Sequence, residues 1–153
     1  MACREDAHVV LLPIKPRYAE PIMEGRKRVE FRKTTFSARP SHVVVYASSP
    51  TQRIIGYFEV SGLEVGTVEE LWERYAEVGC IEHEDFFNYY GSRQEGLALG
   101  VGTVTALDEP VALEDLGLGI RPPQSFMYLP RAVLGRLSPT PAIAPPDSTP
   151  RMR

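Results

Sequence analysis

The stretch EGRKRVEFRK, residues 24–33, decides the fold because it combines the alternation of a strand with a dense charge. Seven of its ten residues are charged. Val29 and Phe31 nevertheless alternate with charged residues, a pattern typical of a half-buried strand. We therefore predict a strand over residues 27–33 that places Val29 and Phe31 in the core.

The alternation of side chains predicts what each face of this strand carries. Lys27 and Lys33 would share the apolar face, and the other face would present Arg28, Glu30 and Arg32. A carboxylate between two guanidiniums can accept a hydrogen bond from a base amino group while the arginines meet phosphate or carbonyl oxygens. A cross-strand ion network on a solvated face would explain the same pattern without a ligand.

The residues before this strand predict another strand and a short helix. HVVLLPI (8–14) is a continuous apolar run of the length of a buried strand. Pro16 suits the first position of a helix, and Gly25 is a natural end for it. Pro21 removes one hydrogen bond within that helix and predicts a kink.

The residues after it predict paired strands around a helical insertion. HVVVYA (42–47) and RIIGYFEV (53–60) are apolar and β-branched, with a turn between them. Gly56 indicates a bulge or a close contact with bare backbone. A capping box precedes the helix VEELWERYAEV (68–78), and EHEDFFNYY (82–90) has the acidic first turn of a second helix.

The last elements complete the predicted fold class. ALGVGTVTAL (98–107) predicts a curved strand, VALEDLG (111–117) a turn of helix and SFMYL (125–129) a final short strand. The order predicts an α+β fold: a small β-barrel of mixed or antiparallel strands, with a helix after the first strand and an inserted helical pair.

Size and composition predict one soluble domain. The 153 residues suit one core, and 43% apolar with 24% charged residues is ordinary. We expect the domain to span residues 8–129, with a disordered N-terminus (1–7) and a disordered proline-rich tail (138–153). No apolar run could span a membrane and the charged N-terminus is unlike a secretory signal, which predicts a cytoplasmic protein without a membrane partner.

The charge is distributed unevenly. The net charge is −3, yet residues 15–39 carry eight Lys or Arg against three Glu, a balance of +5, while the rest carries nine basic and seventeen acidic residues, a balance of −8. A basic segment within an acidic protein attracts a polyanion locally. A solvated charged face would have the same composition.

The sequence lacks the motifs of several enzyme classes and of common metal sites. The sequence contains no GxSxG, no HExxH and no CxxC. Cys3 and Cys80 predict no disulfide framework. Glu82, His83 and Asp85 lack a spacing specific to a metal. We predict neither a metal nor a cofactor.

A family resemblance rests on the opening stretch and its flanks. IKPRYAEPIMEGRKRVEFRK (14–33), followed by VVVYASSP (43–50) and IIGYFEV (54–60), closely resembles the ASCH domain family of the PUA-like superfamily. The likeness covers about residues 8–129. The family signature G-x-K-x-x-E-x-R is matched by Gly25, Lys27, Glu30 and Arg32.

The resemblance implies a barrel with a cleft lined by the signature residues, and binding of RNA or a nucleotide. Lys15 follows the first strand at the predicted barrel mouth. Ser48 and Ser49 lie in the turn after the strand 42–47. Their hydroxyls and the backbone amides of the turn could hold a phosphate, although an ordinary turn would explain these serines equally well. The predicted ligand-binding residues are Lys15, Gly25, Lys27, Glu30, Arg32, Ser48 and Ser49.

A hydrolase is the alternative. The resemblance also implies two possible activities. One is ribonuclease activity. The other is removal of the acetyl group from N4-acetylcytidine, in which a lysine acts with a hydroxylated residue three positions further along the chain. Lys27 matches that lysine, but Glu30 occupies the position of the hydroxyl, which argues against the same activity unchanged. In an enzyme Lys27 would be the nucleophile or base and Glu30 the proton carrier.

Two further predictions concern aromatic residues and the tail. Tyr46, Tyr57 and Phe58 could stack on a base, but aromatic residues in such strands are more typical of the core. FFNYY (86–90) is rich in aromatics, and we expect it to hold the insertion against the barrel rather than to flank the cleft. A third hypothesis is a protein-interaction adaptor that uses the tail (138–153). The sequence does not indicate the oligomeric state.

Overall fold

The computed structural model describes residues 8–137. The residues for which we predicted disorder, 1–7 and 138–153, lie outside this range, and so does the tail on which the adaptor hypothesis depends. In chain order the elements are β1 (His8–Ile14), α1 (Pro16–Met23), β2 (Val29–Arg32), β3 (Pro40–Ala47), β4 (Arg53–Thr67), α2 (Val68–Gly79), α3 (His83–Tyr90), β5 (Glu95–Val111), a 3-10 helix (Leu113–Leu116), β6 (Met127–Leu129) and α4 (Val133–Arg136).

The six strands form one mixed sheet in the order β2-β5-β4-β3-β1-β6. β1 pairs with β3 in parallel, and the other neighbours pair antiparallel. The mixed α+β class is confirmed, but the predicted closed barrel is not, because within residues 8–137 no ladder joins the edge strands β2 and β6. Side-chain bonds span this gap instead: Arg32 donates to the Pro13 and Ser125 carbonyls at 3.4 and 3.3 Å.

Apolar side chains cover both faces of the sheet at β1 and β3. On one face Val43 and Val45 pack with Ile22 of α1, and on the other Val44 and Tyr46 pack beneath the 3-10 helix. Strands covered on both faces have continuous apolar runs, as the sequence of both strands does. The prediction that Tyr46 belongs to the core is confirmed.

β4 and β5 are longer than the sequence predicted. They continue as a paired ribbon to the register Thr67–Glu95, and α2 and α3 connect its ends. The glycines and charged residues of this ribbon obscure its alternation, so only pairing reveals it. At the start of α2 the predicted capping box is confirmed: Glu70 N donates to Thr67 Oγ1 at 3.1 Å, and Thr67 N to Glu70 Oε1 at 3.2 Å.

Val29 and Phe31 of β2 are both 5% exposed, so their predicted place in the core is confirmed, and they pack beneath α2 and α3. The Phe31 ring meets Phe86 edge-on, with centroids 4.8 Å apart. Gly79 at the end of α2 allows this approach, because a Cβ there would lie 2.6 Å from Phe31 Cε2. The inserted helices therefore cover one face of β2 and leave its other face to the interior.

Candidate functional site

A cavity of about 440 Å³, which we call the central cavity, opens between β1, α1, β2 and α3. Its volume lies within the range of small-molecule pockets, roughly 300–1,000 Å³. Charged, aromatic and polar side chains surround it together with a few apolar ones. The lining residues are Pro13, Ile14, Lys15, Arg17, Tyr18, Lys27, Glu30, Phe31, Arg32, Ile81, Asp85, Asn88 and Tyr89.

Lys27 reaches this cavity because the chain turns before β2. Gly25 has φ +84°, a conformation that favours glycine, and the amides of Arg26 and Lys27 then donate to the Pro21 carbonyl at 3.0 and 3.1 Å. The predicted strand began at residue 27, but β2 begins at Val29. Strand alternation therefore does not apply to Lys27, and it lies on the side of Glu30 rather than of Val29.

Two ionisable side chains are buried at the base of the cavity. Lys27 is 2% exposed and Glu30 is 5% exposed. Lys27 Nζ lies 3.5 Å from Glu30 Oε1 and donates to the carbonyl of Gly79 at the end of α2. Burial of a charge is unfavourable unless it is paired, so each group requires the other.

Arg32 completes the group on the other side of Glu30. Its Nη1 donates to Glu30 Oε2 at 3.0 Å, and its bonds to Pro13 and Ser125 fix the guanidinium across the open edge of the sheet. The predicted Arg28–Glu30–Arg32 surface is wrong in one member, since Arg28 donates instead to the Val101 carbonyl at 3.1 Å. Lys27 occupies the place expected for Arg28.

Two tyrosines, Tyr18 and Tyr89, line the cavity, although neither was among the predicted ligand-binding residues. Lys27 Nζ lies 5.5 Å from the centroid of the Tyr18 ring. A phenol is protonated at neutral pH and can donate a hydrogen bond, and burial raises the pKa of both Tyr18 and Tyr89 further in that direction. The aromatic density of FFNYY was the available signal. Phe86 and Tyr90 do hold the insertion, but Tyr89 faces the cavity.

Of the other predicted ligand-binding residues, only Lys15 lines the central cavity. Gly25 lies in the exposed turn that directs Lys27. Ser48 and Ser49 lie in the turn after β3, where Ser48 N donates to the Ile14 carbonyl at 2.9 Å, and neither lines the cavity. Their assignment to ligand binding stays a prediction.

Metal ligation has no arranged site in the described part of the chain. Between residues 8 and 137 no three His, Cys, Asp or Glu side chains are grouped to hold an ion. His83 packs against Trp72 and Phe87, with centroids 5.2 and 4.7 Å away. In the same range no helix has both the length and the apolar character needed to cross a membrane.

Comparison with known sequences finds relatives that are much longer than this chain and one of similar length. Two proteins of Ureaplasma parvum serovar 3, named large ribosomal subunit protein uL22 and ATP synthase subunit alpha, are 25% and 26% identical over 82% and 81% of this chain. This chain spans 40% and 16% of their lengths. A protein of Zymomonas mobilis named ASCH domain-containing ribonuclease is 24% identical over 81% of this chain and 86% of its own.

Solved structures share the fold. The crystal structure of ASCH from Zymomonas mobilis has a TM-score of 0.77 at 23% identity and covers 84% of this chain and 92% of that one. The N-terminal domain of Staphylothermus marinus McrB has a TM-score of 0.56 at 8% identity with the same coverage. The family model for the ASCH domain matches residues 12–102, more than half of the sequence, and it contains the whole signature. This chain belongs to the ASCH domain family.

Proposed function

We propose that this protein binds RNA or a nucleotide by admitting one base to the central cavity. The observation that carries the proposal is the buried Lys27–Glu30 pair, with the partly exposed Arg32 bound to Glu30, in the lining of the central cavity. An acceptor with donors on both sides is complementary to a base edge, which itself presents donors and acceptors.

The group retains capacity for a ligand. The Lys27 ammonium has three donors, one of which bonds the Gly79 carbonyl while the Glu30 carboxylate lies 3.5 Å away. The Glu30 carboxylate has about four acceptor positions, one of which accepts from Arg32 at 3.0 Å. Tyr18 and Tyr89 add ring surfaces of the kind on which unpaired bases stack.

The cavity's charge also suits a nucleotide. Four cations line it, and the carboxylates of Glu30 and Asp85 offset two of them, which leaves a net charge of +2. A moderate positive balance attracts phosphate without making the site indifferent to the base. The name ribonuclease on the Zymomonas mobilis relative supports a role with RNA.

A hydrolase is the second candidate, and the 3.5 Å contact between Lys27 and Glu30 favours it. A lysine beside a carboxylate within the cavity can exchange a proton with it during attack on a bound substrate. RNA and N4-acylated cytidines are the substrate classes to test, since the family resemblance implies both. In this mechanism Lys27 acts as nucleophile or base, and Glu30 carries the proton.

Replacing Lys27 tests both candidates. In Lys27→Met the side chain keeps most of its length and loses its charge, so we expect affinity for short single-stranded RNAs and nucleosides to fall about tenfold or more, as loss of a charged hydrogen bond predicts. Binding is measured by calorimetric titration, and the melting temperature confirms folding. Arg26→Met is the matched control, because Arg26 is exposed and pairs with Glu24 in the same turn.

The same samples distinguish binding from catalysis. Wild type and Lys27→Met are incubated with RNA and with N4-acetylcytidine, and products are separated by chromatography. Product that requires Lys27 supports the hydrolase, and binding without product supports the binding module. If Lys27→Met binds every ligand as tightly as Arg26→Met does, the central cavity is not the binding site.

A further inference from the structure

A second cavity lies directly beside the first. This lateral cavity has a volume of about 240 Å³ and shares Arg32 and Tyr89 with the central cavity as lining residues. The two cavities therefore adjoin at Arg32 and Tyr89. The rest of its lining comes from β1, from the chain after β2, from the loop between α3 and β5, and from the segment before β6: Leu12, Lys33, Thr34, Phe36, Arg93, Gln124, Ser125 and Phe126.

The lateral cavity differs from the central one in its charge. Arg32, Lys33 and Arg93 line it, and its lining contains no carboxylate. Within residues 8–137 neither Lys33 nor Arg93 forms an ion pair. Their contacts are neutral: Lys33 Nζ lies 4.9 Å from the Tyr89 ring centroid, and Arg93 Nη2 donates to the Lys33 carbonyl at 3.1 Å. Three cations, of which Arg32 alone is paired with a carboxylate in this range, are complementary to a phosphate.

The cavity also has an apolar side. Phe36 and Phe126 meet edge-on with centroids 4.6 Å apart, and both are partly exposed. A site for an inorganic anion alone has no need of ring surface, whereas a nucleotide presents a sugar and a base next to its phosphate. Rings and cations together indicate a ligand that is charged and partly apolar.

We propose that the lateral cavity binds the phosphate joined to the nucleoside whose base occupies the central cavity, and that this phosphate is a phosphodiester of single-stranded RNA. The inference rests on the proposed function and extends it, because it identifies the ligand as a strand running past Arg32 and Tyr89. A nucleoside fills the central cavity alone, and a strand fills both.

The test compares ligands that differ in phosphate. Dissociation constants are measured for the four nucleosides, their 5′- and 3′-monophosphates and a single-stranded RNA tetranucleotide of mixed sequence, with wild type, Lys33→Gln and Arg93→Gln. Both residues are exposed, so the variants are expected to fold, and the melting temperature checks this. Arg74→Gln is the matched control, since Arg74 pairs with Glu64 and lines neither cavity.

We expect Lys33→Gln and Arg93→Gln each to weaken tetranucleotide binding about tenfold and to leave nucleoside binding unchanged. The slope of log affinity against log salt should fall by about 0.7 for each phosphate that the variant no longer neutralises. A reduced affinity confined to the tetranucleotide supports the phosphodiester. If the affinity for the monophosphates falls by the same factor, the ligand is a free nucleotide and the proposal of an RNA strand is wrong.

Two results overturn the lateral phosphate site. In the first, Lys33→Gln and Arg93→Gln bind the tetranucleotide as tightly as Arg74→Gln does, and nucleosides still bind. This result leaves the proposed function unaffected. In the second, nucleoside affinity falls as much as tetranucleotide affinity, and a phosphate site cannot act on a ligand without phosphate. If the wild type binds none of these ligands, the proposed function fails together with this extension.

Discussion

Side chains on the two faces of strand β2 are buried by different means. Val29, Phe31 and Glu30 are each 5% exposed. Two of them pack among aromatic rings of α2 and α3, where the hydrophobic effect requires only that water be excluded. Glu30 is covered by two cations beside a cavity, and burial of its charge requires that both be placed within bonding distance. Burial alone therefore does not separate core from site, whereas the identity of the neighbours does.

The largest effect is expected on the apolar face. Phe31→Ala removes a ring that packs against Phe86, and loss of a buried Phe costs about 3–5 kcal/mol of unfolding free energy. Denaturant titration measures it. Phe87→Ala is the matched control in the same cluster, and we expect a smaller loss because Phe87 is only partly buried. Equal losses would show that α2 and α3 do not pack on β2 as described.

A smaller effect is expected on the cavity face. Glu30→Ala leaves Lys27 buried without its carboxylate, and we expect a cost of about 3 kcal/mol, the lower end for a broken buried pair, because Arg32 remains partly exposed. Glu30→Gln should cost less, since its amide oxygen still accepts a hydrogen bond. If Glu30→Ala is as stable as wild type by denaturant titration, water rather than pairing satisfies this group.

The smallest effect concerns pH and two neighbouring tyrosines. Burial raises the pKa of Tyr90, which packs on the apolar side and donates to the Arg32 carbonyl at 2.9 Å, and also raises the pKa of Tyr89 at the cavity. A raised pKa means that the folded state keeps a proton that the unfolded chain releases above about pH 10. Their contribution to stability is thus complete below that pH and is lost as pH rises further.

We expect the loss from each tyrosine to stay below about 1 kcal/mol by about pH 10.5. Tyr90→Phe should flatten the alkaline fall in unfolding free energy more than Tyr89→Phe, because the pKa of Tyr90 is raised further. Denaturant titrations across the alkaline range, with tyrosinate absorbance as a second readout, measure both slopes. The reverse order would place Tyr89 rather than Tyr90 in the drier environment.

Local patterns predicted most of the elements. The continuous run of β1, the capping box of α2 and the alternation of Val29 and Phe31 each depend on residues close in sequence, and the structure contains all three. The ribbon extending β4 and β5 was missed because cross-strand pairing, not alternation, stabilises it. The predicted closed barrel is not observed in the described residues. Strand patterns in the sequence do not show whether the two edge strands of a sheet pair with each other.

The sequence by itself determined the family, the mixed α+β class and the presence of a lysine, a glutamate and an arginine near one strand. Only the tertiary structure decided which cation faces Glu30. The turn at Gly25 brings Lys27 inward while Arg28 turns to Val101, and α3 contributes Tyr89 from far along the chain. Alternation is a property of neighbouring residues, but the pairing of buried charges depends on every group that surrounds them in space.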